Sequence, residues 1–327
     1  MKKYVAVLLF GIIFLFPSCY KIVDADFVDI KPQLVMLSFF SPDSIFKVRV
    51  GRSVGLNEFD RADTLIWLDD AVCSLYVDNS FYQVFLSRGN GWYVSPTGYH
   101  PVAGRKYKMI VWHSIYGKAE AESYVPQKTI ISGVQFLGRI ERAGDLGVNH
   151  YLKYGFSLAD EPDEKNYYEL YVTDLRPEIV YSDLGSDDID TVYLDTNLFY
   201  ISTYNPVLLE NASFGYSLIF SDKYIKTSSV KVSFLINETS KTLYGYLIKN
   251  LQIHLRVLSS EAYKYKLQIV KYFNTDEGIW QTSGIVISPY SNVIGGYGIF
   301  AGYNETVDSS TFPVSLDQHF IDSLLNY

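Results

Sequence analysis

The residues Pro101-Val102-Ala103-Gly104-Arg105-Lys106-Tyr107-Lys108-Met109-Ile110-Val111 carry the most fold-specific pattern of this chain. A glycine-containing corner leads into a tyrosine, and Tyr107, Met109 and Val111 then recur with a period of two. Successive side chains of a strand point to opposite faces of a sheet, so this period predicts a β-strand with one buried face.

The corner resembles the tyrosine corner of immunoglobulin-like β-sandwiches, in which the Tyr hydroxyl binds backbone a few residues upstream. Short strand-like runs with polar turns between them surround it, as a sandwich requires. The clearest of these runs are 34–40, 46–50, 72–77, 81–86 and 92–94. We therefore predict an immunoglobulin-like β-sandwich over residues 31–128, with a boundary near Pro126.

A larger β-rich domain is predicted for residues 129–327. Apolar runs of strand length continue beyond Pro126, and polar turns such as Asp160-Glu161-Pro162-Asp163 separate several of them. The predicted strands are 151–158, 167–172, 198–203, 214–220, 230–236 and 251–258. The fold class expected for the whole chain is mainly β.

One helix is predicted in this second domain, near residues 259–274. Ser259 can cap it, while Glu261 in the first turn and Lys271 near the end suit the helix dipole. Its apolar side chains recur at helical spacing and are Ala262, Tyr265, Ile269 and Phe273. We expect this stripe to pack on a sheet.

The composition supports a packed β protein. Hydrophobic residues make up 48% of the chain and charged residues 20%, which is typical of a globular protein and not of a disordered one. Aromatic residues reach 16%, with 29 Tyr and 20 Phe, and such side chains fit the half-buried surface of a sheet.

The N-terminus resembles a bacterial lipoprotein signal. Lys2 and Lys3 precede an apolar run from Val5 to Phe16, and Ser18 stands directly before Cys19. About a dozen apolar residues are too few to cross a ~30 Å hydrocarbon core comfortably. We predict a signal peptide over residues 1–18, lipidation of Cys19 and a tether over 19–30. Secretion without lipidation and an uncleaved anchor are the alternatives.

Charge and cysteine content narrow the classes of function. The formal net charge of −8 becomes −10 once Lys2 and Lys3 are removed, and no basic block follows. Because nucleic-acid binding needs clustered Lys and Arg, a nucleic-acid partner is not expected. Besides Cys19, the chain has one cysteine, Cys73, and lipidation of Cys19 would leave Cys73 without a disulfide partner. Cys73 lies in a strand-like run and is predicted to be a buried, inert thiol.

No motif for catalysis, a metal or a cofactor stands out. The five histidines are isolated in sequence, and His254 is expected on the solvated face of its strand. Neither a nucleophile elbow nor a phosphate-binding loop occurs. Acidic groups occur at Asp69-Asp70, at 160–164 and at 187–190, and could serve glycoside hydrolysis or calcium binding, although turn residues explain them as well.

The C-terminal third resembles a known family. Leu255 to Tyr263 reads as a strand entering a helix, and Tyr290-Ser291-Asn292-Val293-Ile294-Gly295-Gly296-Tyr297-Gly298-Ile299-Phe300 follows. Together they resemble the C-terminal signature of the DUF4249 lipoproteins of Bacteroidota, and Asn166 to Leu170 agrees. The glycines do not have dinucleotide-binding spacing, so a bulge or tight bend is expected, with a ligand-contacting loop as the alternative.

The resemblance implies an exported, lipid-anchored protein of two β-rich parts, often encoded beside a TonB-dependent outer-membrane transporter. It transfers no activity, catalytic residue, metal or cofactor, and it leaves the segment 174–211 without an assigned role. We therefore expect a binding or accessory module at the outer membrane that works beside such a transporter, on a face that is not decided. The alternative is a carboxylate-dependent glycan hydrolase.

Overall fold

The computed structural model describes residues 31–54, 66–144, 147–160, 164–181, 189–205, 208, 212–214, 216–237, 251–274 and 290–310. The described chain is mainly β, with one α-helix, as expected from the sequence. The predicted signal peptide, Cys19 and the tether up to residue 30 lie outside these ranges. None of the described helices is both long and apolar enough to cross a bilayer.

The described part of the first 128 residues contains nine strands. They are β1 (Leu34–Phe40), β2 (Lys47–Arg52), β3 (Ile66–Trp67), β4 (Val72–Val77), β5 (Ser80–Val84), β6 (Leu86–Ser87), β7 (Trp92–Val94), β8 (Lys106–His113) and β9 (Gly117–Tyr124).

The described residues after 128 add ten strands and the helix α1. They are β10 (Ile131–Gly144), β11 (Gly147–Ala159), β12 (Tyr167–Tyr181), β13 (Ile189–Leu198), β14 (Ile201–Ser202), β15 (Ala212–Phe214), β16 (Ser217–Ser221), β17 (Ser229–Asn237), β18 (Leu251–Leu258), α1 (Ser260–Asn274) and β19 (Gly296–Ser310).

One large sheet runs through both halves of the molecule. Its eleven strands include the path β15-β16-β12-β18-β19-β1-β2-β7-β6, and two four-stranded sheets cover parts of it, in the orders β5-β4-β8-β9 and β10-β11-β17-β14. The last strand, β19, lies between β18 and β1 and pairs in parallel with β1. The first and the last described strands are therefore neighbours.

The first core lies between β1, β2 and β19 of the large sheet and the β4–β8–β9 sheet. Phe40, Phe46, Tyr107 and Phe300 meet there with ring centroids 4.6–5.9 Å apart. The predicted tyrosine corner is confirmed, because the Tyr107 hydroxyl accepts a hydrogen bond of 2.6 Å from the backbone N–H of Val102.

The second core lies between β12 and β18 of the large sheet and the β10–β11–β17–β14 sheet. Alternate residues of the two central strands enter it, among them Leu170, Val172, Ile253 and Leu255, all fully buried. The side chains that alternate with these along β12 and β18 face outward, on the side where α1 lies.

Helix α1 begins as the sequence predicted. Ser259 Oγ accepts a hydrogen bond of 3.3 Å from the N–H of Ala262, which satisfies one of the free donors at the helix start. The helix packs on the outer face of the large sheet through Ala262 against Ile299 and Ala301 of β19. Tyr265 reaches β1, where its ring lies 5.7 Å from that of Phe39.

The glycine-rich motif marks a close approach between backbones. Gly298 has a φ of +118°, and a Cβ built on it would lie 2.0 Å from the carbonyl oxygen of Met36 in β1. The prediction of a tight bend inside a strand thus agrees with the structure. Val293 and Phe300, on either side of the glycines, belong to the first core. The division into domains at residue 128 stays a prediction, and a segment far beyond it completes the first core.

Candidate functional site

The acidic pair Asp69-Asp70 supports local structure. Asp69 Oδ1 accepts a hydrogen bond of 2.6 Å from the N–H of Gly91 and so fixes the turn before β7. Asp70 Oδ1 lies 3.0 Å from Nε2 of His113, which is buried. Each carboxylate has a nearby partner within the fold, as the turn interpretation expected.

The other candidate residues are dispersed. Of the calcium candidates at 187–190, Asp187 and Asp188 lie outside the described residues, while Asp190 belongs to β13. Glu161, Asp163 and His319 also lie outside them. His100 approaches the carbonyl of Pro42, and His150 lies 3.5 Å from Glu141. Within the described ranges no three His, Cys, Asp or Glu side chains come together to hold a metal ion.

Cys73 is fully buried in the first core. Burial raises the pKa of its thiol well above the usual range, because a thiolate would lose its hydration there. The prediction of a buried thiol is confirmed, and this environment suppresses thiolate chemistry.

A buried ionic cluster on the outer face of the large sheet was not predicted. Backbone register places Glu169 of β12, Arg256 of β18 and Glu305 of β19 in one row across three strands. Arg256 lies 3.3 Å from Glu169 and 2.8 Å from Glu305. The sequence predicted strands at Glu169 and Arg256 but none at Glu305, and only the register brings the three charges together.

Two further side chains complete this cluster. Lys266 of α1 reaches Glu169 at 2.7 Å and so ties the helix to the sheet. Tyr171 donates a hydrogen bond of 2.5 Å to Glu305, and its ring stacks on His254 with centroids 4.4 Å apart. The expectation of a solvated His254 is wrong, because this ring stacking leaves only 12% of its side chain exposed.

The charges of the ionic cluster neutralise one another. Burial alone would raise the pKa of Glu305, but His254, Arg256 and the Tyr171 hydroxyl outweigh it and lower that pKa to about 2. Nδ1 of His254 lies 3.7 Å from Glu305, which is ion-pair range. A carboxyl with so low a pKa is ionised at neutral pH and cannot serve as a general acid, so the cluster favours a structural role.

A cleft lies where the 127–130 connection passes the end of β11 and the start of β12, and we call it the junction cleft. It has a volume of about 410 Å³. Its wall includes Asp160, Glu164, Asn166, Tyr168 and Ser228. Two members of the predicted acidic segment therefore line one cavity.

Asp160 is the most distinctive group of the junction cleft. It is 6% exposed, and its Oδ1 accepts a hydrogen bond of 2.6 Å from Tyr168. Its Oδ2 has no hydrogen-bond partner among the described residues. Close by, burial raises the pKa of Asp222, and the Asp160 charge adds to this effect. Asp222 lies behind the cleft wall, where it accepts a hydrogen bond from the backbone N–H of Asn166.

An apolar patch covers the outer face of the β5–β4–β8 strands. Register places Val72 opposite Trp112 and Val84 opposite Ser74, with Phe81 opposite Tyr76 farther along the same face. Phe81 is 58% exposed and Trp112 is 52% exposed, and Val72 and Val84 each exceed 40%. We call these four residues the apolar patch. Exposed apolar side chains that share one sheet face are typical of interaction surfaces.

Comparison with known proteins gives a family and distant similarity to solved structures. A solved structure titled "Crystal structure of Putative membrane anchored protein from Corynebacterium diphtheriae" is similar over 70% of this chain and 54% of its own, at 10% identity and a TM-score of 0.18. This chain thus spans about half of that protein, and a similarity this low supports no inference. No functionally curated protein matches.

The family comparison is far more extensive. The profile of the family described as "Domain of unknown function (DUF4249)" matches residues 20–309, which is most of the chain and includes both cores and the helix. The chain therefore belongs to the DUF4249 family.

Proposed function

We propose that this protein is a lipid-anchored, non-enzymatic accessory module of the outer membrane that works beside a TonB-dependent transporter. The observation that carries the proposal is the apolar patch on the first sandwich. Four large apolar side chains on one sheet face stay exposed, with accessible fractions between 41% and 58%. A protein partner of matching apolar character would bury them.

The anchor itself rests on the N-terminal sequence. The match to the family begins at residue 20, directly after Cys19, as expected if the residues before it are a signal that is removed. Acyl chains contribute ~0.8 kcal/mol per buried CH₂, so two or more chains hold a protein at a bilayer without help from its folded part.

Fractionation tests the anchor with a matched pair of cysteine variants. Cys19→Ser should move the protein from the membrane pellet to the soluble fraction and abolish palmitate-analogue labelling. Cys73→Ser removes the other thiol and should leave both readouts unchanged. Equal membrane retention and labelling of the Cys19→Ser protein would show that the anchor is placed wrongly.

Co-purification tests the partner. Full-length protein should retain a TonB-dependent transporter, identified by mass spectrometry, when it is purified from detergent-solubilised membranes of its own host. Changing Trp112 and Phe81 to Ser should remove the transporter. Ile45→Ser is the control, because this residue is 44% exposed and lies off the patch. Undiminished recovery with the patch variant would refute the patch as the contact.

A carboxylate-dependent glycan hydrolase is the second candidate, and the junction cleft favours it. The cleft holds two carboxylates, and the pKa of the neighbouring Asp222 is raised, as a general acid requires. Against it, Asp222 lies outside the cleft wall. Sugar release from a glycan panel that is lost in Asp222→Asn and Asp160→Asn would support the hydrolase and overturn the accessory proposal.

A further inference from the structure

A second, smaller cavity opens on the outer face of the β10–β11–β17 strands. Its volume is about 80 Å³, and Arg142, Lys153, Tyr204 and Ser233 contribute to its wall. One water molecule needs roughly 10–15 Å³ of cavity volume. The cavity therefore holds a small group of several heavy atoms and excludes a whole sugar. We call it the outer pocket.

Both charged side chains of the outer pocket are cations. Arg142 and Lys153 lie on the same face of neighbouring strands. Arg142 pairs with Asn149 of β11, and Asn149 and Lys153 point to the same side of that strand because an even number of positions separates them. The lining contains no carboxylate, and within the described part of the chain neither cation forms an ion pair. Two such cations in one pocket are unexpected in a chain with a net charge of −8.

The guanidinium of Arg142 is held in place by an aromatic ring. Its Cζ lies 3.4 Å from the centre of the Tyr204 ring, which is a cation–π contact. A guanidinium in such a contact carries its N–H donors at the edge of its plane. Such a fixed donor fork fits the geometry of a carboxylate or a phosphate, and the ammonium of Lys153 adds a second charge. The Ser233 side chain adds a hydroxyl on the same face.

We propose that the outer pocket binds a small oxyanion, a phosphate or carboxylate group, through Arg142 and Lys153. The group could be free in solution or be the head of an anionic lipid, and both sources present the same chemistry to the two cations. The site is distinct from the apolar patch, so its failure leaves the accessory proposal untouched.

Titration calorimetry on the full-length protein tests the site with two probes. Inorganic phosphate represents the free anion and glycerophosphoglycerol the head of an anionic lipid. We expect binding that weakens as salt rises from about 50 to about 200 mM. Arg142→Gln and Lys153→Gln should each weaken it about tenfold, because each removes a charge-assisted hydrogen bond. Preference for one probe identifies the source.

Two controls separate the site from general charge. Lys231→Gln removes an exposed cation of the same sheet outside the pocket and should leave the affinity unchanged. Arg142→Lys keeps the charge but loses the planar fork, so its affinity should fall between the wild type and Arg142→Gln. No binding of either probe at about 10 mM, or equal affinities for the wild type and both Gln variants with unchanged melting, would overturn the proposal.

Discussion

Glu305 couples the stability of the fold to pH through a single side chain. Its pKa falls from the ordinary glutamate value of 4.5 to about 2 in the folded protein. Because the folded pKa is the lower one, the stabilisation is present above about pH 5 and is lost as the pH falls towards 2. A shift of this size in a mostly buried group corresponds to a contribution on the order of 3 kcal/mol.

Replacing Glu305 by Gln should therefore remove part of the acid sensitivity. At neutral pH we expect a loss of about 3 kcal/mol, since Arg256 keeps only one carboxylate partner. Urea unfolding between pH 7 and pH 2 should give wild-type and Glu305→Gln curves that converge in acid. Glu122→Gln, at an ion pair whose carboxylate is 65% exposed, should stay close to the wild type throughout.

Cys73 gives a second prediction at the residue scale. Its full burial and raised thiol pKa should keep it unreactive towards iodoacetamide in the native protein at pH 8. Peptide mass spectrometry should find Cys73 modified only after the protein is unfolded in urea. Rapid native labelling of this residue would mean that the first core opens far more readily than its packing indicates.

At the scale of elements, β19 depends on a residue without a side chain. Gly298→Ala should destabilise the protein by more than about 3 kcal/mol, because the new methyl group would meet the carbonyl of Met36 and force β1 and β19 apart. Gly138→Ala is the matched control: it has the same φ of +118°, but nothing lies within 4 Å of the added Cβ.

Thermal melting of these two variants separates conformational strain from steric clash. Gly138→Ala should lower the free energy of unfolding by only about 1 kcal/mol, because it places Ala at a positive φ without a steric clash. Similar losses in both variants would show that the approach of β1 to β19 is not as close as the structure has it.

Local patterns predicted the local elements well. The corner at Tyr107 and the helix that starts after Ser259 both appear, because their signals lie within a few neighbouring residues. The predicted strand at 198–203 is divided, since β13 ends at Leu198 and β14 holds only Ile201–Ser202. The polar side of β18 was predicted as solvated, but α1 and the neighbouring strands partly cover it.

Long-range pairing could not be predicted from the same patterns. Nothing near Leu34 indicates that its strand pairs with Gly296, although the two residues are partners in the parallel ladder. The ionic cluster and the junction cleft depend on such pairings, so nothing in the sequence near Glu169 or Asp160 indicates the partners that the fold brings to them. The glycine motif was the one local signal, since it indicated a close backbone approach without naming the partner strand.

For the whole molecule, the shared strand β19 predicts one cooperative unfolding transition. A fragment of residues 31–128 lacks β19 and Phe300, so β1 would expose one edge and the first core would lose a central ring. We expect this fragment to stay unfolded. Nuclear magnetic resonance should show narrow amide dispersion.

The missing segment should restore the fragment. Fusing residues 290–310 to it through a flexible linker should bring back the wide amide dispersion of a folded sandwich. A fragment of 31–128 that folds without this addition would show that the first domain folds independently and does not need β19.

The parallel pairing of β1 with β19 also sets the order of events during biogenesis. The ribosome delivers Leu34 long before Gly296, and any passage through a membrane N-terminus first would do the same. The edge of β1 that pairs with β19 therefore stays unpaired until nearly the entire polypeptide has emerged. Such a chain stays loosely structured while it crosses a membrane and folds only afterwards. We expect holdase chaperones to bind it in the interval.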